Sequence, residues 1–290
     1  MPRAFEPAYL SILRTSELRE RVGIAYQHLE DCDLCARYCH VNRRQTVKGA
    51  VCRTGERAVV HSFGPHHGEE DPLRGWRGSG TIFFSWCNLR CIYCQNWEIS
   101  WKGMGHEVEP EDIAGMMLQL QDRGCHNINF VSRSHVVAQI LAAVQIAAEG
   151  GLRLPLVYKT GGYDSPEALA LLDGGIDIDM PDMKYSDSTI ARQYSHVPNY
   201  PAVNQAAVKD IHRQAGLFSF PFRSLSLARE RVRVRVVHRA STPPAPLLTR
   251  VGFLKNSDLA SRLAAYCGDL NNPQTQGGKP CFARPLSTNG

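Results

Sequence analysis

A chain of 290 residues, 43% hydrophobic and 21% charged, is long enough to bury a sizeable core as one large α/β domain or as a domain with an added lobe. No run approaches the ~20 apolar residues of a membrane span, and the N-terminus lacks the basic, apolar and cleavage segments of an export signal, so we expect a cytoplasmic protein with no membrane partner. The formal net charge of +5 is uneven: residues 217–290 carry eleven Lys or Arg against three Asp or Glu, while the preceding residues carry twenty-two against twenty-five.

In chain order, Leu18, Val22, Ala25 and Leu29 recur at helical spacing behind the cap candidates Thr15 and Ser16, predicting an amphipathic helix that leads into Cys32. Cys32, Cys35, Cys39 and Cys52 follow in CxxC and CxxxC steps and then a longer gap. Clustered thiols in an unexported chain favour a metal over disulfides. Zinc in a four-Cys site and an auxiliary iron-sulfur cluster both suit them, and spacing alone does not choose. His40 is an alternative ligand, although a surface His is commoner. His66, His67, Glu69 and Glu70 form a dense polar group that reads equally as a functional turn or a solvated loop. The run Thr81 to Trp86, TIFFSW, preceded by GSG, predicts a buried strand that delivers Cys87 at its C-terminal end.

Cys87, Cys91 and Cys94 then stand in a CxxxCxxC, with Tyr93 directly before the third thiol and no further Cys until Cys125, which reads as an ordinary buried thiol. Three thiolates at this spacing suit three corners of a 4Fe-4S cluster and leave the fourth iron open. Beyond them, Pro110 predicts a helix start, Ile113, Met116, Met117 and Leu120 its apolar stripe, and Gly124 its end before a strand at 128–131. A second helix carries Val137, Ile140, Leu141 and Val144, stops at Gly150 and Gly151, and leads to a strand at 154–160. Ser165 and Pro166 start a third, Gly174 and Gly175 close it, and a strand at 176–180 follows. Regular alternation implies a parallel sheet with helices outside, and ligands at the carboxyl ends of its strands.

The run HHGEEDPLRGWRGSGTIFFSWCNLRCIYCQNWEIS resembles radical S-adenosylmethionine (SAM) enzymes, and more closely a family of Fe-S proteins named for their likeness to pyruvate formate-lyase activating enzymes. The resemblance implies an α/β fold: a partial (β/α) radical SAM barrel over residues 75–216, with an N-terminal four-Cys extension at 1–58. It also implies a 4Fe-4S cluster on Cys87, Cys91 and Cys94 whose open iron takes the amino and carboxylate groups of SAM. Reductive cleavage of SAM would then yield a 5′-deoxyadenosyl radical for hydrogen abstraction. By the same resemblance Tyr93 lies beside the cluster, Thr160 lines the SAM pocket after the third strand, Asp182 orders the site and Lys184 meets the SAM carboxylate or ribose. After the second strand such enzymes commonly carry Gly-Gly-Glu, whose acid holds the SAM amine. This chain departs from that pattern with Ser132-Arg133-Ser134, so Ser132 and Ser134 become the local acceptors, or else simple helix caps. Bottom-up, Asp182 and Lys184, two apart at a strand end, could simply satisfy each other.

A flavodoxin or ferredoxin electron donor is implied, and a glycyl radical enzyme or other protein is a substrate the resemblance allows. The different-class alternative is a zinc-ribbon-like binding module built on the seven cysteines between 32 and 94 and the basic tail; nucleic acid is not the expected partner. The resemblance fades after Gly216. The irregular, Arg-rich and Pro-rich tail that follows is expected to be disordered or the product of a reading-frame shift near codon 217, with one amphipathic strand at Val232, Val234 and Val236.

Overall fold

The computed structural model describes residues 5–132, 134–215 and 249–250. The expected irregularity of the tail, its strand at Val232, Val234 and Val236, and Arg133 lie outside the described residues. Helices α1 (Tyr9–Arg14) and α2 (Glu17–Gln27) open the chain and lead through the irregular four-Cys segment to β1 (Ala58–His66), the one-turn α3 (Asp71–Arg74) and β2 (Ser79–Phe84). Then come α4 (Trp97–Lys102), β3 (His106–Val108), α5 (Pro110–Asp122), β4 (Ile128–Val131), α6 (Val137–Glu149), β5 (Leu156–Thr160), α7 (Pro166–Leu172), β6 (Ile178–Met183), α8 (Ser188–Ser195), α9 (Tyr200–Ala215) and β7 (Thr249–Arg250).

The strand order is β3-β1-β2-β4-β5-β6-β7. Strands β2, β4, β5 and β6 are mutually parallel, joined by helical crossovers as the alternation requires. Among the described residues the sheet is α/β and not closed, a partial (β/α) barrel. All four residues of β4 are buried, as expected of a strand covered on both faces. Ile82, Phe84, Ile128, Phe130, Leu156 and Tyr158 meet Ile113, Met117, Leu120, Val137, Ile140, Leu141 and Val144 in the main core, which α2 extends through Leu18 and Ala25.

Local signals account for most boundaries. Pro110 occupies the first turn of α5 behind a reciprocal Glu109–Asp112 capping box. At α7 the Ser165 hydroxyl accepts the Ala168 N–H at 3.3 Å. The expected cap of α2 is corrected: Ser16 adopts a left-handed backbone and makes no side-chain cap, while the Thr15 hydroxyl donates to the carbonyl of Ile12 at 3.2 Å and so closes α1. Three strands also shift. β2 begins at Ser79 and ends at Phe84, so Cys87 follows a short connector instead of the strand end itself, and β5 begins at Leu156. β6 runs from Ile178 to Met183, pairing Pro181 with Thr160, which places Asp182 inside the strand where the sequence suggested the loop beyond it.

The antiparallel edge was not foreseen. β1 pairs antiparallel with both β2 and β3, and it contains Gly64 and Pro65, which weaken a strand signal in sequence. β3 covers only Ala58, Val59 and Val60, so among the described residues Pro65 sits where β1 has a neighbour on one side alone and its missing N–H is tolerated.

Candidate functional site

One cavity gathers the expected site residues. Cys87, Cys91 and Cys94 line it together with Tyr93, Ser132, Ser134, Thr160, Asp182 and Lys184, all at or beyond the carboxyl ends of the parallel strands. Asn96, at the start of α4, also reaches it.

The loop after β2 is held by its neighbours. Trp86 takes a left-handed backbone at φ 64° and its N–H donates to Ile99 at 3.0 Å, while Trp101 Nε1 donates to the Cys91 carbonyl at 3.0 Å. Donors meet two of the sulfurs: the Leu89 N–H lies 3.4 Å from Cys87 Sγ, and the Ser100 hydroxyl 3.2 Å from Cys94 Sγ. Burial pushes the Cys87 thiol up to about 11; Cys91 adds to the rise and the N–H groups of Arg90 and Leu89 oppose it. A metal must therefore displace its proton. Among the described residues no group of three His, Cys, Asp or Glu side chains is placed to hold a single metal ion.

The opposite wall is built by the turns after β4, β5 and β6. Ser132 has a left-handed backbone at φ 64°. The Ser134 and Thr160 hydroxyls are 3.0 Å apart, and the N-cap position of α6 falls to Val136, so the reading of these serines as helix caps is set aside. Asp164, 1% exposed, accepts from Thr160 Oγ1 at 2.6 Å and from Tyr158 at 3.0 Å, locking the β5 turn. Gly162, at φ +69°, has no room for a side chain, since a Cβ would lie 2.4 Å from the carbonyl of Asp182 and 2.0 Å from Asn204 Nδ2. Tyr200 ties the two turns together by donating to the carbonyls of Gly161 (2.8 Å) and Asp182 (3.1 Å). Lys184 and Asp182 pair at 2.6 Å. Burial works against the Lys184 charge, but Asp182 and then Cys91 outweigh it and raise the ammonium above its ordinary range.

The structure also places the remaining polar candidates, and adds Arg37, which the sequence did not single out. Of His66, His67, Glu69 and Glu70, only Glu69 is buried, and it pairs with Lys159, which lines the cavity. His40 pairs with Asp31 on the surface. Arg37, between Cys35 and Cys39, donates to the carbonyls of Asn88 at 2.7 Å and Leu89 at 3.3 Å, so the four-Cys segment holds the backbone of the loop that carries Cys87 and Cys91. A single Arg within a cysteine cluster carries no sequence signal for that role. Cys125 is buried at 3% exposure, as expected.

The donor set fits the expected group: three thiols face one cavity with hydroxyls, a carboxylate and an ammonium suited to the amine, carboxylate and ribose of SAM. The chain is 29% identical over 211 residues to the uncharacterized protein MJ0674 of Methanocaldococcus jannaschii, which covers 69% of this chain and 60% of that protein. A family model described as "Radical SAM superfamily" matches residues 81–231, from β2 and its cysteine loop through the turns after β4, β5 and β6. The strands that carry the cavity and the segment that matches the model are the same, and the chain belongs to the radical SAM superfamily.

Proposed function

We propose that this protein is a radical SAM enzyme whose 4Fe-4S cluster sits on Cys87, Cys91 and Cys94 and whose SAM occupies the cavity lined by Tyr93, Ser132, Ser134, Thr160, Asp182 and Lys184. The observation that carries this reading is that the three thiols and all six of these residues share one cavity at the carboxyl edge of a parallel sheet. A cluster held by Cys87, Cys91 and Cys94 would supply the low-potential electron for reductive cleavage of the sulfonium S–C5′ bond of SAM. Lys184, kept charged by Asp182, offers the countercharge for a carboxylate. The Ser134 and Thr160 hydroxyls and the turn carbonyls offer acceptors to the amine in place of the missing Gly-Gly-Glu acid. The Glu69–Lys159 pair fixes the wall of the cavity between them.

Hydrogen abstraction from a glycine of a protein substrate, as the likeness to activating enzymes implies, is the finer reading, with a flavodoxin or ferredoxin as electron donor. The test is anaerobic reconstitution, reduction with dithionite, addition of SAM and measurement of 5′-deoxyadenosine by chromatography. Product from the wild type and loss of more than about 100-fold in Cys91→Ala is expected, since one missing corner leaves the cluster unheld. Equal product from both proteins would overturn the proposal.

A further inference from the structure

The four cysteines ahead of β1 form a second thiol cluster outside the cavity. Cys32, Cys35 and Cys52 are 5%, 6% and 5% exposed and Cys39 is half-buried. Cys35 interacts electrostatically with Cys52, Cys32 and Cys39, and Cys39 with Cys52 and Cys32, and the His40 N–H donates to the Cys32 carbonyl at 3.1 Å, which brings the two ends of the CxxC and CxxxC steps together. Left-handed backbones at Tyr38 and His40 flank Cys39, and another at Arg53 follows Cys52. Such conformations are uncommon for residues with a Cβ and gather at ligand clamps.

What makes these thiols more than a buried cluster is Arg43. Its side chain is among the largest fully buried groups in the protein, at 2% exposure. Nε donates to the Thr54 carbonyl at 2.7 Å, Nη2 to the carbonyls of His135 at 2.8 Å and Gly55 at 3.4 Å, and Nη1 to Cys32 Sγ at 3.4 Å. No carboxylate among the described residues forms an ion pair with it. A guanidinium stays charged at any ordinary pH, and a buried charge is retained only where an anion compensates it. Four neutral thiols supply no such charge, whereas four thiolates around a metal core do. A four-thiolate zinc ion and a four-thiolate iron-sulfur cluster both carry that negative charge, and metal analysis separates them.

We infer that Cys32, Cys35, Cys39 and Cys52 hold a second, four-thiolate iron-sulfur cluster, separate from the one at Cys87, Cys91 and Cys94, with Arg43 as its buried countercharge. The inference is independent of the radical SAM reading. It is tested by iron and acid-labile sulfide content after anaerobic reconstitution. The wild type is expected to hold about eight iron ions per chain, and a variant combining Cys87→Ala, Cys91→Ala and Cys94→Ala about four, still brown and bleached by dithionite. The half-exposed Cys39→Ala provides the reciprocal variant, expected to fall to about four with the other cluster intact. About four iron ions in the wild type and none in the triple variant, or one zinc in place of iron, would overturn the second cluster and leave the radical SAM reading standing. About four in both would support the second cluster and remove the first.

Discussion

Lys184 and Asp182, each less than one-fifth exposed and 2.6 Å apart, form an ion pair bordering the cavity. Removing one partner of a buried pair strands the other charge, which costs about 3 kcal/mol, whereas removing both costs much less. Lys184→Met is therefore expected to lower anaerobic thermal stability by that order, and the Asp182→Asn/Lys184→Met double variant to recover most of it. Additive losses in this double-mutant cycle would show that the two groups do not depend on each other. His135 is a second buried group at the residue scale. Its Nε2 donates to the Ser85 carbonyl at 3.0 Å, and burial, aided by Arg43, holds its pKa down to about 3. The unfolded chain binds this proton near pH 6.5, so between pH 6.5 and 3 it binds more protons than the folded chain, and stability falls as the pH falls. His135→Gln should remove a contribution of up to about 1.4 kcal/mol per pH unit from that slope. Identical slopes in urea titrations of the two proteins would show that His135 protonates without penalty.

At the scale of elements, the loop of Cys87, Cys91 and Cys94 is held from outside by one side chain. Arg37 reaches the carbonyls of Asn88 and Leu89 with one part of its guanidinium, and those of Ser195 and His196 at the end of α8, both at 3.1 Å, with the rest. A cation at a helix C-terminus is favoured by the helix dipole, and the planar fork serves both segments at once. Lys cannot reproduce that fork. Arg37→Lys is expected to loosen the loop by about 2 kcal/mol, read as faster amide exchange at Leu89 and Ile92 and faster iron loss to a chelator. Unchanged exchange there would show that α4 and β2 hold the loop without help. The same scale explains what could be read from the sequence. α5, α6 and α7 announced themselves by Pro, Gly and apolar spacing, and β4 by an unbroken apolar run, because these signals are local. β1 hid behind Gly64 and Pro65, and β6 ran past its expected end because pairing with β5 carries Pro181 and Asp182 along. The turns after the strands were legible because ligands sit at the carboxyl edge of a parallel sheet, while the roles of Tyr93, Thr160, Asp182 and Lys184 came from the family resemblance. Arg37, Arg43 and the Glu69–Lys159 pair were not legible, because their partners lie 51, 92 and 90 residues away.

Among the described residues, two apolar clusters separate the stability of the fold from its site. The larger packs the sheet against α2, α5 and α6, and Phe130 lies within it, fully buried and 6.4 Å from the ring of Phe84. The smaller joins Ala36, Leu89, Cys91, Tyr163, Tyr185 and Tyr200 beneath the cavity, with Tyr163 stacked on Tyr200 at 6.0 Å and Tyr185 edge-on to it at 5.2 Å. Phe130→Ala leaves a cavity costing about 3–5 kcal/mol, roughly a 10 °C loss in Tm for a domain of this size, without touching the turns that line the site. Tyr200→Phe keeps the ring and its packing. It removes a hydroxyl that donates to Gly161 and Asp182 and accepts the Lys184 N–H at 3.0 Å, a smaller stability loss of about 1–3 kcal/mol. Its effect on the site should nevertheless be larger, because the turns after β5 and β6 lose the group that fixes them to each other. SAM affinity measured by equilibrium dialysis of the reconstituted protein is expected to weaken about tenfold in Tyr200→Phe, equivalent to about 1.4 kcal/mol, and to stay within twofold of wild type in Phe130→Ala below its Tm. The reverse order would place the positioning of the cavity in the main core and remove the distinction between the two clusters.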